Sequence, residues 1–325
     1  MYNKKAFHGN GETFEIQLSP GTEVSSGSVS YEHPDLFGDH FNRYTGLVEY
    51  ETRVRRYTSH DEDRQSSSLL LGRIIDQGDL SIRFGPTWKE VDLRELDEDE
   101  DLPYTLTDSE GESSYQGAAF NVRLNTLDRR FAPRNGVMAE WRNTLYGGPF
   151  GGDNDLWVTE LSYDKFFQLG AEGEDIRNGV YLGLWGRVAQ PFGDTDFAKY
   201  SERGFLGGSS RMKGFDFRGV GPNDGNYSLG GETALFTTLE VRFPIYTTPI
   251  LGTSRRQEVL RLTPFVDLGV LGLDAWDVDL DDLRASAGVT FGLVQPIPLS
   301  FNFGFPLRDG DGDDLEVFSF RLAVR

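Results

Sequence analysis

The sequence predicts an all-β protein, and within that class a transmembrane antiparallel β-barrel. Three observations carry this reading. Apolar residues recur with period two almost everywhere, in segments parted by Gly, Pro, Asp and Asn clusters, while helical periodicity is nearly absent. Each segment pairs an apolar side with a charged side. The connections alternate between long acidic stretches and shorter ones, as outer loops and inner turns do in membrane barrels. A soluble β-sandwich also alternates. The long aromatic apolar sides and the charges along the polar sides favour a wall between lipid and a wet interior instead.

Strands are predicted near 12–20, 25–33, 41–57, 66–76, 79–93, 115–126, 136–146, 155–168, 179–190, 232–244, 258–271, 283–294, 298–306 and 315–325. That makes about fourteen, an even number as single-chain barrels prefer. The alternation is clearest late in the chain. Leu299, Phe301, Phe303 and Phe305 oppose Ser300, Asn302 and Gly304. Phe318, Phe320, Leu322 and Val324 oppose Ser319, Arg321 and Arg325. Leu235, Leu239, Val241 and Phe243 oppose Glu232, Glu240 and Arg242, so Glu240 and Arg242 are expected to line the interior.

The long connections are 59–65, 94–114, 274–282 and 308–314, and every acidic run falls among them. The shorter set is 34–40, 76–78, 128–135 and 295–298, with 246–257 an exception. A negative outer rim suits divalent cations at a lipopolysaccharide surface, or high salt, although most such runs are simply solvated loops.

Composition narrows the classes. A chain of 325 residues fits one large barrel. The absence of cysteine excludes disulfides and cysteine-based metal or nucleophile sites. His8, His33, His40 and His60 lack helical zinc spacing and read as solvated loop residues. No metal and no cofactor is expected. A net charge of −20 argues against nucleic acid as a partner. No apolar run approaches the ~20 residues of a membrane helix, and the negative mean hydropathy of −0.44 does not weigh against a barrel, because only alternate residues face lipid. The first residues, Met1-Tyr2-Asn3-Lys4-Lys5, hold no apolar signal-peptide core.

The most specific stretch is Leu206-Gly207-Gly208-Ser209-Ser210-Arg211-Met212-Lys213-Gly214-Phe215, followed by Gly219-Val220-Gly221-Pro222. It resembles the sixth outer loop of the outer-membrane assembly-factor superfamily, the BamA-type insertases and their translocase relatives. In that family the loop folds back into the barrel and ends in an Arg-Gly-aromatic tip. The resemblance therefore implies a long inward-folded loop near 191–231, with Arg211, Met212, Lys213, Gly214 and Phe215 at its tip. Lys213 stands where the family usually has Arg; lysine offers a point charge rather than a bidentate fork, and Arg211 or Arg218 is a candidate to replace it. Asn125-Thr126-Leu127-Asp128-Arg129, continuing to Pro133 and Gly136, resembles the family's inner turn. Pro133 and Gly136 set a tight reversal there, and Asp128 can accept from backbone donors.

Gly230-Gly231-Glu232 through Phe243-Pro244 resembles the strand after the loop. Phe265-Val266-Asp267-Leu268-Gly269 resembles the strand against which the tip docks, with Phe265, Asp267 and Gly269 facing the interior and Gly269 admitting the loop backbone. Segments 284–289 and 299–306 resemble the penultimate strands. The resemblance covers essentially the whole chain. It implies a barrel of about sixteen strands preceded by POTRA modules, so the chain reads as one barrel domain, 1–325, without those modules and without the first one to two strands. Asn3 to Gly11 then reads as the end of the family's second strand. If the chain is complete, 12–20 is expected to pair with 315–325. The chain ends in Leu322-Ala323-Val324-Arg325 rather than in an aromatic residue.

The resemblance further implies a protein of the bacterial outer membrane that is not an enzyme. It would insert or translocate proteins through a lateral seam that offers a strand edge to the client, with a belt short enough near the seam to thin the bilayer. Implied partners are the lipid bilayer with lipopolysaccharide, client outer-membrane or secreted proteins, and accessory assembly subunits. The alternatives are a two-partner-type secretion pore, the anchoring barrel of a larger protein such as a patatin-like lipase, a passive channel, and a soluble β-protein with a catalytic carboxylate pair.

Overall fold

The computed structural model describes residues 2–5, 11–21, 24–38, 43–57, 59–75, 79–97, 102–129, 132–170, 176, 178–225, 227–252 and 256–322. Strands dominate: β1 (Tyr2–Lys5), β2 (Thr13–Ser19), β3 (Val24–His33), β4 (Tyr44–Arg56), β5 (Asp61–Ile75), β6 (Leu80–Arg94), β7 (Gly111–Asn125), β8 (Gly136–Tyr146), β9 (Leu156–Gln168) and β10 (Gly179–Pro191). Three two-residue strands follow, β11 (Gly214–Phe215), β12 (Asn223–Asp224) and β13 (Tyr227–Ser228). The chain then forms β14 (Thr233–Pro249), β15 (Arg256–Gly272), β16 (Arg284–Leu293), β17 (Leu299–Arg308), β18 (Leu315–Glu316) and β19 (Phe318–Arg321).

One sheet takes fifteen of these strands in the order β1 to β10, β14 to β17, then β19. All fourteen expected strands are present, and β1 is the fifteenth. The chain clusters into two compact units. One comprises Met1–Leu124, Glu140–Glu160 and Val188–Arg203; the other comprises Asn125–Ala139, Leu161–Arg187 and Gly204–Arg325.

Burial is inverted relative to a water-soluble sheet. Along β15, Val266 is 43 % exposed while Asp267 beside it is fully buried. Along β14, Leu235 and Leu239 are exposed while Thr238, Glu240 and Arg242 are buried, and along β17 Phe301, Phe303 and Phe305 are exposed while Ser300 and Asn302 are buried. Apolar side chains point away from the protein and charged ones into it. That arrangement is stable where the solvent is hydrocarbon. It also leaves small apolar cores, such as Leu47, Leu70 and Ala119. The antiparallel ladder satisfies the backbone groups that lipid cannot.

Several boundaries depart from the sequence reading. The 59–65 run is mostly strand, because β5 begins at Asp61. Its carboxylates face arginines across the ladder: Arg56 lies 3.7 Å from Asp61, and Arg94 pairs with Asp63. Opposite charges on facing positions keep an acidic run extended. The 94–114 connection is shorter than expected, with β7 starting at Gly111, and it contains one helical turn, α1 (Tyr104–Thr107). The 246–257 exception is largely ladder, since β14 and β15 stay paired down to Pro249 and Arg256.

The final expected strand is split. Leu315–Glu316 pairs with β11 and Phe318–Arg321 with β17. Positions 323–325 and the 76–78 turn lie outside the described residues. The expected pairing of 12–20 with 315–325 is overturned, because β2 has β1 on one side and β3 on the other.

The histidines need a correction too. His60 is 2 % exposed, stacked on Tyr57 at 4.5 Å and edge-on to Tyr200 at 5.6 Å. Its partner Tyr200 is 140 positions away, so no local pattern signals the burial. His33 is half-buried, with Nε2 3.8 Å from Glu12. His8 and His40 lie outside the described residues.

Candidate functional site: the docked loop tip

The second leg of the long loop, 204–231, begins and ends on one reciprocal backbone pair. Gly204 N–H donates to the Gly231 carbonyl at 2.7 Å and Gly231 N–H to the Gly204 carbonyl at 2.8 Å. Between these ends the loop buries Leu206, Met212, Phe215 and Val220 against Ala234, Phe236 and Leu271, with Trp185 packed alongside. An apolar foot is thus pressed onto a sheet face that is otherwise polar.

The foot places Lys213 over β15. Its Nζ lies 3.0 Å from Asp267 Oδ2, and its backbone N–H donates to the same carboxylate at 3.0 Å. Thr238 Oγ1 donates to Asp267 Oδ1 at 2.5 Å. The Phe265 ring sits beneath the ammonium, 4.1 Å from Nζ to centroid, and Glu240 lies 3.8 Å from Nζ. Arg242 donates to Glu240 at 3.1 Å and stacks between Phe166 and Tyr181, at 5.0 and 4.8 Å. The order is cation, carboxylate, cation, carboxylate, from Arg242 through Glu240 and Lys213 to Asp267. Alternation of this kind compensates each buried charge with neighbours of opposite sign.

Neither proposed substitute for Lys213 takes its place. The Arg211 guanidinium lies over the Trp185 ring at 3.8 Å, and that of Arg218 over Phe205 at 3.9 Å. The lysine ammonium reaches both oxygens of the carboxylate, 3.0 Å from Oδ2 and 3.2 Å from Oδ1. Lys213→Arg is expected to hold the docked loop, since both Asp267 and Glu240 lie within reach of a guanidinium. Unchanged urea resistance of the folded form in lipid would show this; a drop of several kcal/mol would show that the pocket is sized for lysine alone.

The role expected of Gly269 is corrected. A Cβ there would meet side chains of the loop, Leu206 Cδ1 at 2.7 Å and Met212 Sδ at 3.3 Å, rather than its backbone. The backbone approach occurs at Gly304, which the sequence reading missed. A Cβ on Gly304 would stand 2.5 Å from Gly214 N and 2.8 Å from Lys213 C. Gly214 itself has φ +100°, a region that disfavours any side chain. A glycine among the alternating aromatics of 299–305 was the available signal.

Also missed was the clamp between the loop and the connection 309–314. Asp313 accepts from Gly221 N–H at 2.8 Å, Gly310 N–H at 2.7 Å and Arg284 Nε at 2.7 Å. Gly219 and Asp216 exchange backbone hydrogen bonds with Asp314 at 2.8 and 2.9 Å. Asp313 is therefore committed to the loop rather than to a rim cation, and among the described residues no group of three acidic or histidine side chains is placed to hold a metal. Asp313→Ala is expected to loosen this clamp, with faster tryptic cutting at Lys213 or Arg218 in the folded protein as the readout.

The inner turn builds itself locally. Asp128 Oδ1 accepts from the backbone N–H of Arg134 and Asn135, at 2.9 and 3.1 Å, and Oδ2 from Arg129 Nε at 3.2 Å. Pro133 and Gly136, the latter at φ +112°, complete the reversal into β8. Partial burial acts to raise the Asp128 pKa, but the two backbone donors and Arg129 outweigh it and hold the carboxyl below its usual range. A depressed folded-state pKa contributes stability above the unfolded value and loses it as pH falls through the folded one. Asp128→Asn is therefore expected to flatten the stability profile below about pH 4, as read by urea titrations at several pH values.

A family model, the Omp85 superfamily domain, matches residues 7–325. The chain belongs to the Omp85 superfamily. The outer membrane protein assembly factor BamA of Nitratidesulfovibrio vulgaris is 30 % identical over 233 residues, covering 69 % of this chain and 27 % of that protein. BamA of Neorickettsia risticii is 29 % identical over 331 residues, covering 97 % of this chain and 41 % of that one. The chain thus spans roughly a quarter to two fifths of these relatives. The crystal structure of BamA from Haemophilus ducreyi lacking POTRA domains 1–3 superposes with a TM-score of 0.74 at 21 % identity, over 98 % of this chain and 65 % of that one. The fold of this Omp85 domain is a transmembrane antiparallel β-barrel, which accounts for its exposed apolar and buried charged faces.

Proposed function

We propose that this Omp85 barrel assembles proteins into the bacterial outer membrane, the role for which its BamA relatives are named. The observation that carries the reading is the docked tip, Lys213-Gly214-Phe215, with Lys213 paired to a fully buried Asp267. A passive pore has no need of a loop anchored by a buried charge pair and a backbone-to-backbone glycine contact.

In this mechanism no bond is made or broken. The loop holds the interior in register, while β19, whose described residues Phe318–Arg321 pair with β17, provides the seam. A client strand adds to that seam through main-chain hydrogen bonds, and the lipid bilayer and the client are the partners. The test is folding of an unfolded outer-membrane protein into vesicles with and without this protein, followed by heat-modifiable gel migration. Faster client folding, lost in Lys213→Ala, supports the reading. Export of a soluble protein without faster insertion would favour a secretion pore.

A further inference from the structure

The first leg of the long loop, 192–203, carries a buried acid that the docked tip does not use. Glu202 lies in a 3-10 turn (Tyr200–Glu202) with its side chain 2 % exposed. Lys89 Nζ on β6 stands 2.7 Å from its Oε1, and Arg64 NH2 on β5 lies 3.6 Å from the same oxygen. Arg64 also donates to the Ser201 carbonyl at 2.7 Å, and its Nε lies 3.5 Å from Glu62. Lys89 is boxed by rings, with Nζ 4.3 Å from the Tyr115 centroid and 4.5 Å from that of Tyr146.

The neighbouring residues are fastened as well. Tyr200 N–H donates to Ser109 Oγ at 2.9 Å, and the Tyr200 ring meets His60. Lys199 Nζ donates to the Asp108 carbonyl. Ala198 is buried in a cluster with Val91, Tyr115, Tyr146, Leu156, Val158 and Ala189.

We propose that Glu202 is a second anchor of the long loop, a positioning residue that holds the first leg against the inner faces of β5, β6 and β7 through Lys89 and Arg64. Its polarity is the reverse of the tip's: the loop supplies the acid and the strands supply the cations. Burying a lysine under two tyrosine rings is costly without a carboxylate to meet it, so the strand side is built to receive an acid. Ring faces add attraction for the same ammonium. The inference goes beyond the assembly reading, because it concerns where the leg lies and not what the barrel does to a client.

The absence of native cysteine gives a clean reporter. Ala198→Cys, in the intact protein in lipid vesicles, is expected to react slowly with a water-soluble maleimide. Adding Glu202→Gln or Lys89→Met is expected to speed labelling on the order of a hundredfold, the scale set by breaking one partner of a buried pair. Arg64→Gln, which removes only the second cation at 3.6 Å, is expected to speed labelling by a smaller factor, about tenfold. Heat-modifiable migration of each variant establishes that the barrel is folded. Slow labelling in folded Glu202→Gln and Lys89→Met would overturn the proposal. If either Glu202→Gln or Lys89→Met fails to fold, Arg64→Gln decides: faster labelling supports the anchor, while slow labelling or failure to fold overturns it. Client folding is not part of the readout, so failure here and failure of the assembly reading are distinguishable.

Discussion

Lys213→Ala is expected to lower the stability of the folded barrel in lipid by about 3–5 kcal/mol, the range for removing one partner of a buried ion pair. Asp267 has no exposed surface, and without the ammonium it would keep only the Thr238 hydroxyl at 2.5 Å and the Lys213 backbone N–H at 3.0 Å. Asp267→Asn is expected to cost less, because the amide keeps the shape and Lys213 retains Glu240 at 3.8 Å. Urea titration of heat-modifiable migration measures both, and the double variant closes a cycle that isolates the pair. Wild-type stability in Lys213→Ala would mean that the apolar foot alone holds the loop.

Gly304→Ala is expected to expel the tip, although it adds one carbon. The new Cβ would fall 2.5 Å from Gly214 N and 2.9 Å from Gly214 Cα, both backbone atoms with no rotamer to change. Overpacking a core by a methyl ordinarily costs about 1–3 kcal/mol; here the shift also separates Lys213 from Asp267, so the two losses compound. Single-channel recording should show larger or more frequent openings, with the strand register intact. A control, Phe305→Leu on the opposite face of β17, should leave current unchanged. If Gly304→Ala conducts like the wild type, the tip is not held at that glycine.

The strands were legible because period two is written directly into each segment: Phe301, Phe303 and Phe305 name one face of β17 without reference to anything else. The tip was legible as a motif, and so was Asp267, since Phe-x-Asp-x-Gly follows that loop in the right order. What stayed hidden depends on partners distant in sequence. Asp313 meets Gly221 across 92 positions, and Arg64 meets Ser201 across 137. Each looked like one more acidic or basic residue in a chain rich in both. Glu202 lies in the loop expected to fold inward, but nothing local marks it as an anchor, and only the fold brings Lys89 and two tyrosines to it. The split of the last strand was hidden for the same reason, because Leu315 finds its partner in Phe215, a hundred positions earlier.

That two-residue ladder between β11 and β18 ties the fate of the chain's last hairpin to the loop. Gly214 faces Glu316, Phe215 faces Leu315, and Gly304 N–H donates to the Val317 carbonyl at 2.9 Å. Neither partner keeps its hydrogen bonds if the other departs. Amide exchange should therefore find 214–219 and 313–317 opening together, with one shared free energy, as a single cooperative unit. Any event that lifts the terminal strand is felt at the tip as a pull on the same few peptide bonds.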